Sequence, residues 1–179
     1  MELIGERIIL REVKEIDFDF LYKLDRHPLV YKYEEDSAPT KEKIIERYSG
    51  RIKKMKDNPN KYLTFIICIN DLEKTPMGNI DINLNWELIR EWELGYELYP
   101  EYWGKGYAYE AAKLLMGYVF ENFNAHKIVA FCNGNNTKSF KLMERLGMKK
   151  EAHERECRFL KNEWNDALMY GILEREWSD

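Results

Sequence analysis

Residues 95–112 read GYELYPEYWGKGYAYEAA, an extended segment, a glycine turn and a helix start, and this succession organises the rest of the chain. Leu94, Tyr96 and Leu98 face one way and Glu93, Gly95 and Glu97 the other, the alternation of a strand. Pro100 closes that strand, because proline donates no ladder hydrogen bond. Trp103-Gly104-Lys105-Gly106-Tyr107-Ala108 then opens a helix whose buried positions are Ala111, Leu114, Leu115, Tyr118 and Val119. A strand, a Gly-x-Gly turn and a helix start together make an anion site. Glycine lets backbone N–H groups approach a ligand, and the first helical turn adds unpaired donors and a positive dipole end. A phosphate or pyrophosphate is the natural guest. Spacing alone does not name it. Tyr109 stands where a dinucleotide fingerprint needs its third glycine, and Tyr99 and Gly106 occupy the first and last positions of a failed Walker A loop. An ordinary glycine-rich connection fits the local pattern equally well.

Upstream, Tyr62 to Ile69 is a near-continuous apolar run and reads as a buried central strand. Ile80, Ile82, Leu84 and Trp86 alternate with Asp81, Asn83 and Asn85, a second strand. Residues 6–13 form a first strand. A helix capped by Asp17 follows and stops near His27, ahead of Pro28. Glu34-Glu35-Asp36 reads as an acidic loop. Thr40 caps a helix whose apolar stripe is Ile45, Tyr48, Ile52 and Met55. Downstream, residues 127–131 make a short strand. Asn136 or Thr137 starts a helix that ends at Gly147, and two strands flank a Lys161-Asn162-Glu163 turn. The order is mixed α/β, or α+β.

The 179 residues suit one domain, 1–179, with no linker or repeat. Twenty-eight Lys+Arg against 32 Asp+Glu leave a net charge of -4. That balance speaks against nucleic acid as a partner and suits an amine-bearing one. Cys68, Cys132 and Cys157 are scattered without a C-x-x-C pair, and His153 and Cys157 lie too far along a strand to share a metal, so no metal is expected. The charged N-terminus and the lack of a long apolar run predict a cytoplasmic protein with no membrane partner.

Asn136-x-x-Ser139, then Lys141 to Met148 (KLMERLGM), and finally Trp164-Asn165-Asp166 complete the pattern. With the Gly104–Ala108 turn, these segments make the chain resemble a GNAT-superfamily N-acetyltransferase over essentially its whole length. It is most similar to the branch containing ribosomal-protein N-terminal acetyltransferases of the RimJ/RimL type. The superfamily signature [Q/R]-x-x-G-x-[G/A] falls on Trp103, Gly106 and Ala108, with Trp103 a departure at the first position. The resemblance implies a mixed, mostly antiparallel twisted sheet of about six or seven strands, about four flanking helices and a splayed cofactor cleft. It also implies acetyl-CoA as the acetyl donor. The amides of Gly104, Lys105, Gly106, Tyr107, Ala108 and Tyr109 would hold the pyrophosphate, and the strand end Leu98-Tyr99 would pair with pantetheine amides. A backbone N–H near Leu98 would polarise the thioester carbonyl. Asn136 would bond near the pantetheine arm, and Ser139 would protonate or solvate the leaving thiolate; the alternative is that Asn136 caps its helix and Ser139 sits in the first turn.

The attacking amine must be neutral. A lysine-like amine, pKa about 10.4, is neutral at pH 7 only about once in 2,500, whereas a peptide α-amine near 7.7–8.0 needs far less help. Glu97, beside the thioester position, is the favoured base or amine contact, with Glu93 as backup. Tyr31, Tyr33, Trp86 and Trp92 are candidates for an acceptor pocket, with the core their commoner place. The expected reaction is direct acetyl transfer to a primary amine, first a protein or peptide N-terminus. A small amine, a non-catalytic CoA-binding sensor and a nucleotide-binding protein stand as alternatives, and a homodimer is left open.

Overall fold

The structure is a computed structural model, and it describes residues 1–34 and 37–178. The strands are β1 (Glu2–Ile4), β2 (Ile8–Glu12), β3 (Tyr62–Ile69), β4 (Pro76–Trp86), β5 (Glu91–Leu98), β6 (Lys127–Asn133), β7 (Lys149–Leu160) and β8 (Glu163–Leu173). The helices are α1 (Phe18–Asp25), α2 (Lys41–Asp57), α3 (Tyr107–Asn122) and α4 (Thr137–Arg145). The strands form one sheet in the order β1-β2-β3-β4-β5-β6-β8-β7. Every neighbouring pair is antiparallel except β5–β6, which is parallel. The eighth strand, β1, goes beyond the expected six or seven; its three residues are too few to show a period.

The β5–β6 pairing governs the site. Only Glu91–Glu93 pair, with Lys127–Val129. Beyond Glu93 β5 stays bonded to β4 as far as Leu98, but it has left β6. The sheet therefore opens into a V on its β6 side.

Helices cover both faces. α3 and α4 pack over Phe65, Ile67, Ile80, Ile82, Leu94 and Ile128. α1 and α2 cover the opposite face through Leu21, Ile44 and Tyr48 against Ile66 and Cys68. β3 is buried along nearly its whole length because both faces are covered, which explains its unbroken apolar run. Each such Ile or Phe contributes about 1.5–3 kcal/mol by leaving water.

Two local expectations need correcting. Asp17 makes no side-chain cap for α1. Its carboxylate instead takes two hydrogen bonds from Arg11, at 2.8 and 2.7 Å, and one from the Lys14 N–H at 2.8 Å. A charge-assisted pair with a buried carboxylate outcompetes a lone cap bond. On α2 the buried residues are Ile44 and Tyr48, while Ile45 is exposed. The stripe is displaced by one residue at its start, because i, i+4 spacing from Ile44 through Tyr48 to Ile52 matches the sheet surface. Thr40 caps α2 as expected, accepting the Lys43 N–H at 3.3 Å.

Candidate active site

The turn into α3 is held in shape by glycine and by Arg7. Gly104 and Gly106 adopt φ of +74° and +86°, the left-handed region that other residues enter only at a cost. Gly106 is the N-cap of α3 and offers no side-chain oxygen, so the N–H groups of the first helical turn, from Tyr107, keep their donors unspent. Arg7 braces the turn from β2's side. Its Nη1 donates to the Lys105 carbonyl at 3.0 Å, and its backbone N and Nε donate to the Glu110 carboxylate at 2.7 and 2.8 Å. Lys138 stands 4.2 Å over the Trp103 ring and Arg145 4.1 Å over that of Tyr109, which adds positive charge beside the turn. The Trp103 indole N–H donates to the Leu98 carbonyl at 2.7 Å, tying the turn to the end of β5. That bond occupies one of the strand-end groups expected to meet pantetheine. The Tyr99 N–H is also occupied, by the Met77 carbonyl at 2.9 Å. Because strand amides alternate in direction, the Leu98 N–H points the other way, into the open V. An uncapped helix start, a glycine turn and an open strand edge fit a pyrophosphate joined to an amide-bearing arm.

At the throat of the V, Tyr96 and Ser139 meet. The Tyr96 hydroxyl lies 3.0 Å from Ser139 Oγ and donates to the Ser139 carbonyl at 3.3 Å. Burial pushes the Tyr96 phenol well above its usual range. Asn136 Oδ1 accepts the Ser139 N–H at 3.3 Å, so Asn136 caps α4. This cap places Ser139 in the first turn of α4, facing β5.

Glu97, the next residue along β5, points to the opposite face and lines a cavity of about 250 Å³ under α1 and α2. Asp25, Glu34, Lys43, Arg47 and Arg158 share this cavity. Glu97 is half-buried as a residue, but its Oε2 is buried outright and meets no hydrogen-bond donor. Burial first, then the charges of Asp25 and Glu34, push its carboxyl up to about 8, with Arg51 opposing. Asp25 faces the same cavity as Glu97. It receives Arg47 Nη1 at 2.7 Å and the Tyr48 hydroxyl at 3.3 Å, and Tyr48 in turn accepts from Asn79 Nδ2 at 3.2 Å. Glu93 shares the face of Glu97 but does not line this cavity. Burial and the nearby Asp81 and Glu91 raise its carboxyl too.

The cavity is roofed by the 3-10 turn Tyr31–Tyr33. Two bonds tie that turn down: the Tyr33 hydroxyl donates to the Asn135 carbonyl at 3.1 Å, and Lys161 Nζ donates to the Lys32 carbonyl at 2.9 Å. Glu35 and Asp36 of the expected acidic loop lie outside the described residues; Glu34 lines the cavity. A bulge in β7 supplies Arg158. The register passes from Glu154↔Ala167 to Arg158↔Asn165, with Glu156 at φ +50°. Asp166 fixes the bulge, accepting the Glu156 N–H at 2.9 Å and meeting His153 Nε2 at 2.6 Å. A larger cavity, about 460 Å³, opens near the other end of α2 among Met1, Ile52, Met55 and Phe123 and holds none of these groups.

The structure thus gathers Leu98, Trp103 to Tyr109, Asn136 and Ser139 around the V and sets Glu97 across the strand from them. Of the aromatic candidates, Tyr31 lines the cavity, Tyr33 anchors its roof, Trp92 is core and Trp86 is exposed. Sequence reasoning missed Tyr96, Asp25, Arg47, Tyr48 and Arg158. Asp25 had a usable signal: it lies four residues from Leu21 on the apolar face of α1, where an aspartate is out of place.

Among known proteins, the family described as acetyltransferase (GNAT) domain matches residues 7–149. The chain belongs to the GNAT acetyltransferase family and is an N-acetyltransferase, which removes the nucleotide-binding alternative. It is 31% identical to YnaD, an uncharacterized N-acetyltransferase of Bacillus subtilis, over 99% of this chain and 100% of that one. It is 27% identical to the alanine N-acetyltransferase of ribosomal protein uS5 from Escherichia coli, over 48% of this chain and 44% of that one. It is 25% identical to a spermidine N(1)-acetyltransferase of Vibrio cholerae, over 97% and 96%. A GNAT-family acetyltransferase from Bacillus anthracis has the same fold, with a TM-score of 0.85, 28% identity, and coverage of 98% of this chain and 100% of that one. Among the described residues no helix is long and apolar enough to cross a membrane.

Proposed function

We propose that the chain transfers acetyl directly from acetyl-CoA to the α-amine of a protein or peptide N-terminus, within a ternary complex. One observation carries this reading: a buried glutamate oxygen without a donor sits at the end of the strand that leaves its neighbour. The α3 turn and the residues from Gly104 to Tyr109 would hold the pyrophosphate, and the Leu98 N–H would stabilise the charge that grows on the thioester oxygen. The amine nitrogen bonds to the thioester carbonyl carbon, and its proton passes to Glu97. The carbon–sulfur bond then breaks, the leaving sulfur takes a proton relayed through the Ser139–Tyr96 hydroxyl pair, the pair regains one from solvent, and Glu97 returns its own to solvent.

Two features favour an α-amine over a polyamine. A base near 8 is matched to an amine near 7.7–8.0 and poorly matched to one near 10.4. The cavity also presents Lys43, Arg47 and Arg158 along with its carboxylates. Three cations balance the three carboxylates Asp25, Glu34 and Glu97, so the cavity lacks the excess negative charge that the several ammonium groups of spermidine would need.

The test starts with calorimetric titration of ligand-free protein with acetyl-CoA, with ATP and NAD as controls. Transfer to short peptides, free amino acids and spermidine then follows. Selective acetyl-CoA binding with peptide kcat/KM well above that of spermidine is expected. Binding without turnover of any amine would favour a sensor, and a preference for spermidine would overturn the choice of acceptor.

A further inference from the structure

Glu97 is surrounded by charge from every element packed on it. Asp25 comes from α1, Glu34 from the segment after the Tyr31–Tyr33 turn, Lys43, Arg47, Tyr48 and Arg51 from α2, Asp81 from β4 and Arg158 from β7. Most of these are already committed. Arg51 Nη1 is on Asp81 Oδ1 at 2.8 Å, and Arg47 is on Asp25. Asp25 has both oxygens engaged by donors, one by Arg47 and one by Tyr48, as Asp81 has by Arg51 and Asn83, but of these two aspartates it is Asp25 that lines the cavity with Glu97. Two carboxyl groups facing one small cavity share a proton, because both cannot ionise cheaply there. With Arg47 and Tyr48 holding Asp25 ionised, the shared proton belongs on Glu97.

We propose that Asp25 is a positioning residue for acetyl transfer: anchored by Arg47 and Tyr48, it accepts the Glu97 proton as a hydrogen bond and so fixes both the orientation and the basicity of Glu97. This rests on Glu97 being the base. The reactive form is the one in which Glu97 has released that proton to solvent; when the amine gives up its own, Glu97 takes it, and the resulting carboxylic acid donates to the Asp25 carboxylate. No proton is lost in the step, and Asp25 stays ionised throughout.

Two substitutions test the idea in opposite directions. Asp25→Asn removes a negative charge beside Glu97, so the acidic limb of kcat/KM should move to lower pH by about one unit or more. Plateau kcat should fall, because the matched acceptor of the proton is gone, and KM for acetyl-CoA should hold. Tyr48→Phe removes a donor from Asp25, makes the pair hold its proton more tightly, and should move the same limb to higher pH. A role limited to packing would lower kcat in both variants without moving either limb. Profiles that coincide with wild type after scaling, or that shift in the same direction, overturn the proposal. If Asp25→Asn does not fold, the direction of the Tyr48→Phe shift decides. Glu97→Gln, run in parallel, separates the two levels. Full turnover in Glu97→Gln sinks the base itself. Loss of turnover there, with unmoved limbs in the other two variants, sinks only the role of Asp25.

Discussion

Replacing Glu97 by glutamine should make the protein more stable in alkaline solution, and less sensitive to pH, while removing most of its activity. A free carboxyl of this kind titrates near 4.5, and in the fold it titrates near 8. The native state therefore holds a proton that the unfolded chain has released between those two values. Its stabilising effect is complete below about pH 4.5 and is lost as pH rises through about 8. At about 1.4 kcal/mol per pH unit that span corresponds to on the order of 5 kcal/mol, and division of the charge with Asp25 lowers the share of Glu97 to about 2–5 kcal/mol. Glutamine keeps the shape and cannot ionise. Urea unfolding at pH 5, 7 and 9 should show wild type losing stability steadily and the variant losing much less, with the two most different at pH 9. The slope left in the variant belongs to the other carboxyls that burial raises, Glu93 among them. Parallel pH–stability lines for the two proteins would refute the buried-acid reasoning, whatever the activities show.

Gly106→Leu puts a side chain at φ +86° and toward the Arg7 guanidinium 3.2 Å away; acetyl-CoA affinity measured by calorimetry should fall by about tenfold or more. If the Ser139–Tyr96 pair serves the leaving thiolate, Tyr96→Phe and Ser139→Ala each keep one hydroxyl, so each alone should lower kcat by less than about tenfold and the double variant by about a hundredfold. A double variant no slower than either single one would exclude both from protonating the thiolate. Phe65→Ala empties a fully buried position on β3 and should cost about 3–5 kcal/mol in urea unfolding, with the slope of the transition unchanged.

The fold could be read from the chain wherever one physical rule acted alone. The unbroken run of β3 and the alternation along β4 and β5 each admit one reading. So does the glycine pair at the start of α3, which only a left-handed turn explains. The turn into α3 was legible for the same reason, since it is built from consecutive residues. The cavity around Glu97 was not. It is assembled from α1, α2, β5 and a bulge in β7, and no sequence period reports that Asp25 and Glu97, 72 residues apart in the numbering, share a cavity. Asp17 misled because a cap signal and an ion-pair partner look alike until Arg11 is seen beside it. Tyr96 passed as an apolar-face residue, because a buried phenol differs from phenylalanine only through its hydroxyl's partner.

In the proposed reaction β5 carries two chemistries on consecutive residues, Tyr96 on the side of Ser139 and Glu97 on the side of the cavity. A strand displaced by a single position would exchange acid for base and leave neither group where its reaction happens. Gly78 guards against that error. It lies opposite Leu98 on β4, and a β-carbon there would sit 2.1 Å from the Glu97 carbonyl oxygen and 2.8 Å from Leu98 Cα. Only a residue without a side chain lets the two strands close at this point, so one small hydrogen on β4 holds Tyr96 and Glu97 to the faces on which they stand.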